Sequence, residues 1–283
     1  MRIENEYDMG HVDSTRVTVD LLARHCRQRP PVCLHGFMEG TPGTHESVHW
    51  DGAVNAWRIA GDVYRMGRHE WVTEAGWQQM YDDGVRTVID LRASRERRQR
   101  DTDPEVPDEV KARIDVVHCP TEDPDHRRFS ELFGPYLKDP AQYADYLQVF
   151  ADKVAAVFMA IAASPGKVVV HCSAGRDRSG VIALMLQRLA GLSDDDIVRG
   201  YELAARGINE RHRTHGAPHA HDPYLPDDEL ETMLDKKRAG LRGFLKELDV
   251  VGFLRANGVA EHEVDALRSK LGCGATTAAT MQD

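Results

Sequence analysis

The stretch KVVVHCSAGRDRSGVIALMLQRL, residues 167–189, constrains the fold of this chain more than any other. An unbroken apolar run, Val168–Val170, stops at a histidine and a cysteine, passes through a glycine-containing polar loop, and resumes as an apolar helical pattern. A strand without alternation is one buried on both faces, so it calls for layers of structure on either side of a sheet. A helix that follows such a strand directly returns across that sheet. The segment therefore predicts an α/β architecture, with the loop at the carboxyl end of a central strand, where open α/β sheets place their ligands.

The rest of the chain supplies the other parts. Gly61-Asp62, between two alternating runs in AWRIAGDVYRMG, predicts a hairpin whose first turn residue takes positive φ and which opens the sheet. Thr73 caps a short helix that ends at Gly84, and VRTVIDLR (85–92) and KARIDVVHCP (111–120) read as strands. AQYADYLQVFADKVAAVFMAIAA (141–163) predicts one long amphipathic helix, and Ser193 opens another with the spacing of a capping box. Residues 226–272 read as a C-terminal helical lobe. The expected fold is a central, mostly parallel sheet flanked by helices. Residues 1–50, weakly periodic and turn-rich, read as an N-terminal extension of a domain over 51–283.

Composition narrows the function classes. Lys and Arg number 36 against 46 Asp and Glu, a formal charge of −10, which disfavours a general binder of nucleic acid or anionic membranes. No apolar run approaches the roughly 18 residues of a membrane span, and the polar start MRIENEYDMGHVDST lacks an apolar signal core, so a cytoplasmic protein is expected. The cysteines, Cys26, Cys33, Cys119, Cys172 and Cys273, are odd in number and scattered, and predict reduced thiols rather than a disulfide framework.

The loop reads as chemistry. Backbone N–H groups from Ser173, Ala174, Gly175 and Arg176, together with the positive end of a helix starting near Ser179 and Gly180, converge on a phosphate-sized oxyanion. Arg178, six residues after Cys172, offers a planar fork for two phosphate oxygens. A cysteine at the base of such a cradle is held as a thiolate and becomes a nucleophile. Ser179 is placed to donate to the sulfur, and His171 to orient the loop. The dipeptide His-Cys also occurs at His25-Cys26 and His118-Cys119, but six residues beyond those cysteines lie Val32 and Asp125 instead of an arginine.

HCSAGRDRSG resembles the H-C-x5-R-[ST] signature loop of the protein tyrosine phosphatase superfamily, and is nearest to its atypical bacterial branch, whose loop reads HCxAGKDRTG. GVRTVIDLRASRE, YELAARGINE and FLRANGVAEHEVDALRSKL extend the resemblance over roughly residues 55–272. It implies Cys172 as nucleophile, Arg178 as phosphate clamp, Asp177 as loop aspartate and general acid, and Ser179 as leaving-group hydroxyl. Arg176 stands where the branch has lysine, and NAWRIAG replaces an NFRDLGG-like element, so ligand contacts normally assigned to that element do not transfer. Asp90 and Arg92 end a neighbouring strand, either facing the site or forming a structural ion pair.

The reading is a cysteine-dependent phosphomonoesterase without cofactor or metal, acting on phosphotyrosyl protein or another phosphomonoester. A phosphoinositide or small-molecule phosphatase is the rival within the class, since Arg176 adds a second cation; a sulfurtransferase is weaker. A catalytically silent phospho-binding module is the rival outside it. Asp139, on the loop before the long helix, is the alternative acid. His212, His215, His219 and His221 suggest a metal only superficially, because glycine and proline separate them.

Overall fold

A computed structural model describes residues 45–216 and 222–273 of the chain. The predicted extension over residues 1–50 therefore lies almost wholly outside the described residues, as do Cys26, Cys33, His219 and His221.

Five strands, β1 (Trp57–Ala60), β2 (Val63–Met66), β3 (Val85–Asp90), β4 (Asp115–His118) and β5 (Lys167–His171), form one sheet in the order β1-β2-β5-β3-β4. Only β1 and β2 are antiparallel, joined by the expected turn: Gly61 has φ 48°, and a Cβ there would sit 2.4 Å from the Lys270 carbonyl. All other pairs are parallel. Strand β5 lies in the middle, and its apolar run is divided between two cores. Val168 and Val170 face one and Val169 the other, as the missing alternation requires.

The helices, in chain order, are α1 (Glu74–Asp82), α2 (Asp108–Lys111), α3 (Phe129–Phe133), α4 (Tyr143–Val149), α5 (Ala151–Ala163), α6 (Arg178–Leu189), α7 (Asp194–His215), α8 (Asp227–Glu247), α9 (Val250–Ala256) and α10 (Glu261–Lys270). Helix α1, capped by Thr73 through the Gly76 amide, covers the smaller core with Trp77 and Met80. Helices α5 and α6 bury the other face, and the C-terminal helices join that same core through Leu234, Leu241, Val264 and Leu267. Ser193 caps α7 through the Asp196 amide, as its spacing predicts.

The expected single helix over 141–163 is two. The axis turns by 91° at Phe150, whose φ and ψ are −122° and 33°. No glycine or proline causes this. Phe150 leaves the helical basin and packs its ring against Phe129, Phe133 and Tyr146 at centroid separations of 5.4–6.2 Å, so tertiary aromatic packing overrides local propensity. Among the described residues no single helix is long and apolar enough to cross a membrane.

Candidate active site

The loop between β5 and α6 follows from its carbonyls. Cys172 O faces His171 Nδ1 at 3.2 Å, Ser173 O accepts from the Arg68 amide at 3.0 Å, and Ala174 O accepts from Asn55 Nδ2 at 3.1 Å. Gly175 O accepts from Asn55 Nδ2 and from Arg65 Nη2, the latter at 2.6 Å; Arg176 O accepts from the same Arg65 nitrogen at 2.9 Å. Every carbonyl from residue 172 to 176 is thus tied to the outside of the loop. Among the described residues, the amides of 173–178 donate to no protein acceptor, so the loop presents a concave row of N–H groups at the start of α6. Gly175 makes the turn possible: its φ is 71°, and a Cβ would lie 2.7 Å from Met66 O and Gly67 N.

Two outward ties come from residues the sequence analysis did not single out. Arg65 and Asn55 are both buried, and Asn55, with φ 59°, also donates to Ala204 O at 2.9 Å while accepting from Trp57 Nε1. Asn55 stands at the start of NAWRIAG, whose departure from the family pattern hid this part. An asparagine, a residue type that tolerates the left-handed region, standing just before a hairpin pattern was the available signal.

Cys172 is buried at the floor of a cavity of about 260 Å³, with Ser173, Ala174, Arg176, Asp177 and Arg178 in the wall. Ser179 Oγ lies 3.4 Å from Cys172 Sγ, in reach of the expected hydrogen bond. Gly175 and Gly180 serve the loop rather than the cavity wall, Gly180 lying inside α6 beside Arg65 and the Tyr143 hydroxyl. By contrast, burial pushes the Cys119 thiol up to about 12, that of an inert core residue.

Arg178 donates to both oxygens of Glu96, from Nη1 at 2.6 Å and Nη2 at 2.8 Å, and from Nη1 to Glu122 Oε1 at 2.9 Å. Burial opposes the ionisation of Glu96, but the two Arg178 hydrogen bonds override it and lower its pKa. Glu122 goes the other way: burial raises its pKa, the Glu96 charge reinforces this, and Arg178 offsets only part. Arg176 is held by Asp177 at 3.0 Å and by Asp222 at 3.1 Å. Asp177 binds through Oδ2, and its buried Oδ1 has no partner.

Asp139 stands apart. It caps the short 3₁₀ turn Pro140–Gln142 through the Ala141 amide and pairs with Lys237 at 3.2 Å, outside the wall of the Cys172 cavity. Asp90 and Arg92 form a buried structural pair beneath the loop, joined by Glu70 and Arg97. Against this network His171 Nε2 lies 2.9 Å from His69 Nδ1. Burial pushes the His171 pKa down to about 3, so a neutral ring orients the loop. Of the two described histidines of the tract over 212–221, His212 lies in the cavity wall and His215 meets Thr214 at the end of α7.

The model of the tyrosine phosphatase family matches residues 58–272. The chain belongs to that family. A tyrosine-protein phosphatase of Nostoc commune is 29% identical over 262 residues, covering 84% of this chain and 83% of its relative. Among solved structures, TpbA of P. aeruginosa is 18% identical, spans 77% of this phosphatase and 98% of its own chain, and superposes with a TM-score of 0.35. The core catalytic domain of the PP-IP phosphatase SIW14 from S. cerevisiae gives 16%, 64%, 91% and 0.29 for the same quantities. The protein is a tyrosine phosphatase with an α/β fold, and membership rests on the family match.

Proposed function

We propose that the enzyme hydrolyses phosphotyrosyl protein through a cysteinyl-phosphate intermediate on Cys172. The carrying observation is the outward anchoring of the loop carbonyls from 172 to 176, which leaves the amides of 173–178 to receive three equatorial phosphoryl oxygens above the sulfur. Cys172 Sγ attacks phosphorus in line, the P–O bond to the tyrosine breaks, and the phenolate takes a proton from Asp177. Water then attacks the cysteinyl phosphate, giving its proton to the Asp177 carboxylate, the P–S bond breaks, and Ser179 donates toward the departing sulfur. Support for Asp177 is its position in the cavity wall with one oxygen unpartnered. Arg178 clamps the phosphoryl group as its charge spreads. Neither cofactor nor metal enters these steps.

Residues 51–283 form the phosphatase domain in this proposal, with 1–50 as an extension. A nucleophilic thiol works in a reducing compartment, and the cytoplasm is the location proposed. The phosphoinositide alternative rests on Arg176, whose guanidinium is held by Asp177 through Nε and by Asp222 through Nη1.

The deciding experiment is phosphate release from phosphotyrosyl, phosphoseryl and phosphoinositide substrates by the wild type and Cys172→Ser. Turnover highest on phosphotyrosine and abolished in the variant is expected. A catalytically silent binding module releases nothing, and a variant that retains appreciable turnover excludes the covalent route.

A further inference from the structure

We propose that the cavity mouth carries a second anion subsite, built from Arg100 and Arg211 around Trp71, which takes a carboxylate or phosphate flanking the phosphotyrosine of a peptide substrate. This rests on the reading of the Cys172 cavity as the phosphotyrosine site. Trp71 and Arg100 line that same cavity, and the Arg211 guanidinium stacks on the Trp71 ring at 3.9 Å from its centroid. Arg68 approaches the ring at 5.9 Å, so two guanidinium groups flank one indole, with Arg100 on the wall of the same cavity.

Each carboxylate nearby already has a basic partner, although Asp103 Oδ1, Glu122 Oε2 and Asp177 Oδ1 make no hydrogen bond. Glu96 and Glu122 pair with Arg178, Asp177 and Asp222 pair with Arg176, and Asp103 accepts from Arg68 Nη2 at 2.6 Å and the Arg100 amide at 2.7 Å. Among the described residues, the guanidinium groups of Arg100 and Arg211 meet no carboxylate within ion-pair distance. Burial lowers the pKa of both and the Arg68 charge contributes in the same direction, against the opposing pull of the Asp103 carboxylate. The stacked, partly desolvated Arg211 is preorganised, so an incoming anion costs little side-chain entropy. A peptide is favoured over a membrane because the chain carries a formal charge of −10, which repels an anionic surface, whereas a flanking acidic residue needs only this local site.

The test compares kcat/KM of the full chain on phosphotyrosyl peptides with glutamate, phosphoserine or a neutral residue beside the phosphotyrosine, with an aryl phosphate as the common reference. The wild type should prefer both acidic flanks, mainly through KM. Arg100→Gln and Arg211→Gln should each cut that preference about threefold to fivefold beyond any change on the aryl phosphate, the size of one partly screened charge pair. Arg211→Lys, which keeps the charge but loses the planar stack on Trp71, should retain only part of it, and raised ionic strength should shrink it. Aryl phosphate turnover without a flank preference overturns the subsite and leaves the catalytic reading standing. Variants that lose turnover of phosphoinositide vesicles while peptide preference persists overturn it in favour of a lipid site. No turnover of any substrate overturns both readings.

Discussion

Arg178 and Glu96 are joined as a fork to a fork, Nη1 to Oε2 at 2.6 Å and Nη2 to Oε1 at 2.8 Å, while Glu122 takes a further Nη1 hydrogen at 2.9 Å. A guanidinium has five N–H groups. These contacts use both on Nη1 and one on Nη2, leaving Nε–H and the second Nη2–H as a parallel edge for a phosphoryl group. The two glutamates therefore aim the arginine rather than block it. Glu96→Gln should lower kcat/KM by about tenfold, because a misaimed clamp loses transition-state contacts, while the fold is kept. Steady-state kinetics on an aryl phosphate check this; an increase would mean that Glu96 competes with phosphate.

Cys172→Ser should abolish turnover and retain phosphate-ester binding, whereas Arg178→Ala should lose both. The alanine also strands Glu96 and the buried Glu122, at a stability cost of about 2 kcal/mol. Calorimetric titration with a phosphotyrosyl peptide, alongside thermal unfolding, separates these outcomes. Tight binding by the alanine variant would remove Arg178 from the site.

Gly175→Ala should disable phosphate binding, since a Cβ would meet backbone at 2.7 Å and the position has φ 71°. Strain of about 1–3 kcal/mol is expected, localised to the loop. A variant that binds phosphate with wild-type affinity would contradict the geometry assigned to the cradle.

The proton donor can be found from leaving groups. Asp177→Asn should slow a poor leaving group selectively, about a hundredfold, and spare one that needs no protonation. Asp139→Asn should do neither, given its pairing with Lys237. If Glu122→Gln shows the selective loss instead, the buried glutamate with the raised pKa is the acid.

Stability should fall in acid. Burial holds His171 near 3 in the folded state against 6.5 unfolded, so below pH 6.5 the unfolded chain binds a proton that the folded chain refuses. For Glu70, burial opposes ionisation, but Arg92 and His69 bring its pKa from 4.5 to about 2, so its contribution is complete above pH 4.5 and is lost as pH falls toward 2. Both act in the same direction. Urea midpoints should decline steadily from pH 6.5 downward, and Glu70→Gln should flatten the decline below 4.5. A midpoint that is constant between pH 6.5 and 4.5 would refute the buried neutral His171.

The strand-loop-helix around Cys172, the hairpin at Gly61, the caps at Thr73 and Ser193, and the spacing of Cys172 and Arg178 were legible in the chain before any fold was known. All are local: a period, a capping side chain, or a glycine at positive φ depends on a few neighbouring residues. The remaining features depend on residues distant in the chain. Phe150 broke a helix with no local breaker because its ring fits among Phe129, Phe133 and Tyr146. Asn55 and Arg65 turned the loop carbonyls outward across separations of 119 and 110 residues, and Glu96 reached Arg178 across 82. No periodicity records such pairings, because a buried polar group is satisfied by whichever side chain the fold brings to it.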